Sequence, residues 1–186
     1  MMKKSVLAVV LFSGALSSSV MAQSNVESFI GGGIGYQTDT FKGDANKHSE
    51  DVSYQLRAGV IINDHHRLSA TYGFKKDRYS IDEGDKAKHT QNLFLTSYDY
   101  LMPVTSTINL FAGPSMGISH DRISYSNAGA QSASDFVWGG QVGANIQLTN
   151  HISSDLTYRY LDQNYKQANT RLKATEQVVW SVDYKF

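Results

Sequence analysis

Asp155 and Arg159 stand four residues apart in a segment where polar and apolar residues alternate, and Arg57, Lys75, Asp99, Lys173 and Asp183 occupy like positions in other segments. On an extended chain an even spacing puts side chains on one face. Acids and bases gathered on an enclosed face must pair with one another or hold water between them. Other chemistries fit the residues less well. The histidines His48, His65, His66, His89, His120 and His151 are scattered, and a metal centre needs ligands that converge. The adjacent pair His65-His66 does not supply one. The run Gly31-Gly32-Gly33-Ile34-Gly35-Tyr36 puts a tyrosine where a dinucleotide fingerprint needs its third glycine. Cysteine is absent, which excludes disulfides, thiolate metal sites and a Cys nucleophile. No cofactor and no metal are expected.

The elements that position those charges follow from size and pattern. A chain of 186 residues allows one domain. Its 17 basic and 17 acidic residues cancel, which argues against a nucleic-acid partner. The N-terminus carries Lys3 and Lys4, an apolar stretch from Val6 to Leu16, and the small-residue site Val20-Met21-Ala22. This is the pattern of a secretory signal, residues 1–22, cut after Ala22. Removing its two lysines leaves 15 bases against 17 acids, a net of −2 over the domain at 23–186. Beyond the signal no apolar run is long enough for a membrane helix.

The remainder alternates with period two. Phe136, Trp138, Gly140, Val142, Ala144, Ile146 and Leu148 oppose Val137, Gly139, Gln141, Gly143, Asn145 and Gln147. Ile152, Ser154, Leu156, Tyr158 and Tyr160 oppose Ser153, Asp155, Thr157, Arg159 and Leu161. Segments 108–119 and 178–186 repeat the pattern, and 26–37, 51–62, 67–76 and 89–101 complete eight strands. In 89–101 the facing is ambiguous, because Leu93 and Leu95 oppose Phe94, Tyr98 and Tyr100. The connections 38–50, 63–66, 77–88, 102–106, 120–134, 149–150 and 162–171 alternate long and short. That rhythm belongs to a transmembrane barrel with short periplasmic turns and long outer loops. The expected fold is therefore all-β, an eight-stranded antiparallel up-and-down transmembrane β-barrel.

Composition assigns the faces. Tyr36, Tyr54, Phe74, Phe136, Trp138, Tyr158 and Tyr160 fall near the long loops, and Tyr100, Tyr184 and Phe186 near the short turns. Two such bands suit the two lipid–water interfaces. A soluble lipocalin-like barrel would turn the apolar face inward. The small residues on the polar face, among them Gly31, Gly33, Gly35, Gly113, Gly117, Gly139 and Gly143, fit a narrow interior better. The interior charges Arg57, Lys75, Asp99, Asp155, Arg159, Lys173 and Asp183 then form a polar core with trapped water, with a gate as the alternative. Asp155 and Asp183 are expected to lie close, so that Lys185 or a base on another strand must offset them.

Three sets of residues resemble known families. Val178, Trp180, Val182, Tyr184 and the terminal Phe186 resemble the assembly signal of bacterial outer-membrane barrels. The stretch Ser153-Ser154-Asp155-Leu156-Thr157-Tyr158-Arg159-Tyr160 and the triplet Tyr98-Asp99-Tyr100 resemble the seventh and fourth strands of the OmpA transmembrane domain. Ala112-Gly113-Pro114-Ser115-Met116-Gly117 and Gly139-Gly140-Gln141-Val142-Gly143 are similar to the OmpX/Ail family. The resemblance implies a bacterial outer-membrane location. It implies outer-membrane lipid, lipopolysaccharide and the barrel-assembly machinery as partners, and a monomer. It further implies a structural or surface-interaction role, in adhesion or defence, with a host or surface ligand at the outer loops. The alternatives are a narrow OmpA-like channel for small solutes and a lipid-modifying enzyme. For the enzyme, Ser124-Tyr125-Ser126-Asn127-Ala128-Gly129 is similar to the PagL-type motif His-x-Ser-Asn-Ala-Gly, but Ser124 fills the histidine slot and cannot act as the base.

Overall fold

The computed structural model describes residues 25–42, 48–81, 85–125, 130–167 and 170–186, with side chains placed in 25–38, 51–75, 90–120, 134–162 and 174–186. The signal segment and its Ala22 site lie outside the described residues. Eight strands run in sequence: β1 (Val26–Lys42), β2 (His48–Ile62), β3 (His66–Ile81), β4 (Asp85–Pro103), β5 (Ile108–Tyr125), β6 (Ala130–Gln147), β7 (Ile152–Gln167) and β8 (Thr170–Lys185). Each pairs antiparallel with its neighbours, and β1 pairs with β8, so the sheet closes on itself. Closure leaves no open edge, and the strands pair around the whole ring, with register shifts at Thr40/Phe41 and between Asp162 and Tyr165. Such closure is the condition for crossing lipid with strands.

The three short connections hold their shape by local chemistry. Asn63 and Asp64 both take positive φ, 52° and 61°, which Asn and Asp tolerate; the His65 N–H closes the turn on the Ile62 carbonyl at 3.3 Å, and pairing resumes between Ile62 and His66. The turns after β4 and β6 share one design. Thr105 Oγ1 accepts from the backbone N–H of Thr107 and Ile108, and Thr149 Oγ1 accepts from those of His151 and Ile152.

The opposite end differs from the sequence expectation. Residues read as long loops are largely strand: β1 continues to Lys42, β2 starts at His48, β3 continues to Ile81 and β5 to Tyr125. The alternation of apolar and polar residues reports lipid on one side. Past the membrane both faces meet water, so alternation stops while hydrogen-bonded pairing continues. The strands are accordingly longer at the outer end than their apolar stripe.

The facing is that of a membrane barrel and not of a soluble one. Val142 is 51% exposed beside buried Gln141. Leu56, Phe94, Met116, Leu156 and Trp180 are likewise exposed at mid-strand. In β4 the ambiguity resolves with Leu93 and Leu95 inward and Phe94, Tyr98 and Tyr100 outward. The inward leucines pack with Val137 and Leu161 in an apolar cluster inside the barrel. Trp180 lies on the outer surface and satisfies its indole N–H by donating to Ser154 Oγ at 2.9 Å.

Candidate functional site

The chemistry-bearing residues converge inside the barrel, in layers. At the periplasmic mouth Lys185 Nζ donates to Gln147 Oε1 at 2.7 Å and lies 3.4 Å from Glu27 Oε2. Next comes an apolar floor of Phe29, Ile61, Leu101 and Phe111. Phe111 packs where Gly143 of the neighbouring strand has no side chain, and a Cβ there would overlap the ring.

A charged layer rests on this floor. Arg57 Nε donates to Asp183 Oδ1 at 2.7 Å, and its Nη2 reaches Asp155 Oδ2 at 2.6 Å and Asp183 Oδ2. Arg67 pairs with Asp155 at 2.6 Å and with Asp99 at 2.9 Å. Asp155 also accepts from Asn145 Nδ2 at 2.5 Å, and Asp99 accepts from Gln141 Nε2 at 2.8 and 3.0 Å. Both guanidinium groups lie over rings of the floor, Arg67 at 4.2 Å from the Phe111 centroid and Arg57 at 5.7 Å from that of Phe29. Asp99 and Asp155 are fully buried, at 0% exposure. Each buried carboxylate thus has several donors, which a charge removed from water requires.

Glycine makes this geometry possible. Gly31 of β1 pairs with Arg57 on β2 and with Asp183 on β8, so the three stand in one row. The ion pair spans the strand between its partners. A Cβ at position 31 would collide with Asp183 Oδ1 and the Val182 carbonyl.

Above lies a neutral layer. Arg159 Nε donates to Gln141 Oε1 at 2.9 Å and its Nη1 to Gln177 Oε1 at 3.2 Å. Gln177 donates to Gln37, Gln37 to Gln91, and Gln91 to Ser119, at 2.8, 2.9 and 3.2 Å. The amides form a directed chain across the bore. A cavity of about 10 Å³ beside Gln37, Ser53, Gln55 and Gln177 has room for one water. Lys75, also buried there, lies 3.3 Å from Asp51 Oδ2.

Arg57, Asp99, Asp155 and Asp183 are therefore brought together, as the alternation predicts, with Arg57 the base that offsets Asp155 and Asp183. Arg159 faces the bore and finds its partners on the neighbouring strands β6 and β8. Among the described residues its hydrogen bonds go to amides on the flanking strands, not to a carboxylate. Lys75 sits apart, near the outer end. Lys173 lies in β8, and its side chain is outside the described residues, as are residues 126–129 of the hydrolase-like stretch. Sequence reasoning missed Arg67, although it shares its face with Lys75. It also missed the glutamines, which carry no charge to draw notice. Among the described residues no cluster of three or more metal-ligating side chains occurs. Trp180, Val182, Tyr184 and Phe186 all face outward on or beside β8, and the Phe186 N–H closes on the Ser28 carbonyl at 2.9 Å.

Known proteins share this architecture. Neisserial surface protein A superposes with a TM-score of 0.68 at 16% identity, over 86% of this chain and 97% of that one. Ail of Yersinia pestis, in complex with the heparin analogue sucrose octasulfate, gives 0.62 at 12%, over 87% and 99%. Outer membrane protein H of P. aeruginosa gives 0.61 at 21%, over 86% and 99%. At these identities the likeness is one of fold. No curated protein sequence matches the chain. A family model described as the outer membrane protein β-barrel domain matches residues 8–186. With its closed ring of eight strands, apolar outer surface and polar bore, this chain belongs to that family and resides in the bacterial outer membrane.

Proposed function

We propose that the protein is a plugged barrel that acts through its outer rim, in a structural or surface-interaction role such as attachment or defence, and does no chemistry of its own. The observation that carries this reading is the filled bore. Two arginines and three aspartates interlock across it, with Arg159 joined to them through Gln141, and an eight-stranded ring is only wide enough to be filled by side chains. What is left for interaction is the rim. Ail was solved with a polysulfated ligand, but the stretches 38–50, 77–88, 120–134 and 162–171 of this chain carry net charges of −1, −1, 0 and +1. A near-neutral rim favours a host or surface ligand held by hydrogen bonds over a polyanion.

The reading includes release of the signal after Ala22. It includes delivery of a monomer to outer-membrane lipid and lipopolysaccharide by the barrel-assembly machinery, which would engage Trp180, Val182, Tyr184 and Phe186. The test pairs two measurements. Purified protein in planar bilayers is expected to show no steady conductance. Cells carrying it are expected to gain binding to host cells or matrix, lost when 77–88 and 120–134 are replaced by short turns. Steady conductance with no rim-dependent binding would overturn the reading in favour of a narrow channel. Altered lipid A mass on expression would favour an enzyme.

A further inference from the structure

The periplasmic end of the outer surface carries a cluster that the bore does not explain. His66, exposed on β3, shares a hydrogen bond through Nδ1 with Tyr98 OH at 2.7 Å. Its ring stacks on Tyr98 at 6.0 Å and meets Tyr100 edge-on at 5.6 Å. His65, the last residue before β3, lies 6.0 Å from the Tyr100 ring, and its Nδ1–H donates to the Asn63 carbonyl at 2.6 Å. Both imidazoles are thus anchored through Nδ1. Among the described residues neither Nε2 has a protein partner. Toward the membrane the patch continues into exposed Leu68, and toward the periplasm into the turn Asn63-Asp64. This is the level of lipid headgroups, where tyrosine belts form.

We propose that His65, His66 and Tyr98 form a site for the phosphate of a phospholipid headgroup in the periplasmic leaflet, one that strengthens when the imidazoles are protonated. A neutral imidazole held through Nδ1–H, as His65 is by the Asn63 carbonyl, offers only a lone pair at Nε2, and His66 and Tyr98 can share their proton in either direction. Protonation turns Nε2 into a charged donor, which pairs well with a phosphate oxygen. The surrounding groups permit an anion. From β4 come Tyr98 and Tyr100. In the turn Asp64 is engaged by Asn25, whose Nδ2 donates to its Oδ1 at 3.5 Å. Arg67 and Asp99, next along β3 and β4, point into the bore and pair with each other; Glu27 of β1 is turned to Lys185. A similar stack of His151 on Tyr184, at 5.9 Å, lies across the barrel. There Phe186, rather than a second imidazole, packs on the tyrosine ring, at 5.3 Å.

The test is solution NMR of the full barrel in zwitterionic micelles, with histidine rings labelled, titrated with short-chain phosphatidylglycerol. At pH 5.5 the His65 and His66 ring signals are expected to shift saturably. With the ring signals themselves reporting the charge state, the apparent affinity should fall about fivefold for each imidazole charge removed, the size of one basic group's attraction to an anionic leaflet. His120, near the outer end and bonded to Ser134 Oγ at 2.8 Å, should stay in place. H65Q/H66Q should migrate as a folded barrel on heat-modifiable gels and lose the pH dependence of lipid binding. Any of three results overturns the proposal: no saturable shift, an equal shift at His120, or the same response to inorganic phosphate as to the lipid.

Discussion

The charged and amide layers fill the same bore in opposite ways. In the charged layer each buried carboxylate is held by at least two donors, and two arginines bridge acids on different strands. In the amide layer each glutamine passes one hydrogen bond to the next, and a water-sized cavity remains beside them. Enclosed charge requires a rigid and complete complement, because a missing partner leaves an ion in a medium that solvates it poorly. A neutral amide can turn, lose one bond and take water. If the barrel is plugged as proposed, the charged layer is the seal, and the amide layer is the part of the bore that yields.

Substitutions can break this contrast. The largest loss is expected for Asp155→Ala, which leaves Arg57, Arg67 and Asn145 without their shared acceptor. Urea unfolding in lipid vesicles should show about 3–5 kcal/mol of destabilisation; a loss no greater than that at a glutamine would erase the distinction between the layers. Arg159→Ala, at the boundary, removes a donor to two amides and strands no carboxylate. A loss of about 1–3 kcal/mol is expected, with conductance unchanged because the seal below is intact. A rise in single-channel conductance would move the seal up to Arg159. Gln37→Ala should cost about 1 kcal/mol by the same unfolding measurement. The smallest net effect is expected for R57M/D183L combined, measured against either single change. If the ion pair serves closure rather than net stability, the double variant recovers most of what each single one loses.

The sequence makes the strands legible because lipid on one side and a narrow bore on the other impose strict alternation. It also makes the seal partly legible. Asp155 and Asp183 fall low on adjacent strands, which forces a base from elsewhere, and Arg57 meets that need. Arg67 follows the same alternation, but it opens its strand just after a turn, where a charge suggests a solvated end. The amide layer is invisible to a search for charge. Arg159 has the expected face and finds partners on the neighbouring strands, but periodicity fixes facing and not whether the group that meets it is a carboxylate or an amide. The outer extensions of β1, β2, β3 and β5 escape notice for the reason given by water on both faces.

The row Arg57–Gly31–Asp183 also has a bearing on time. Its two charged members are 126 residues apart in sequence, on strands that flank β1 on either side. They cannot meet until the first and last strands have joined, which makes theirs among the latest contacts of assembly. Interactions absent from the transition state leave the rate of formation untouched and slow its reversal. The clasp over Gly31 therefore governs how long a finished barrel endures, and has no part in how quickly one is made.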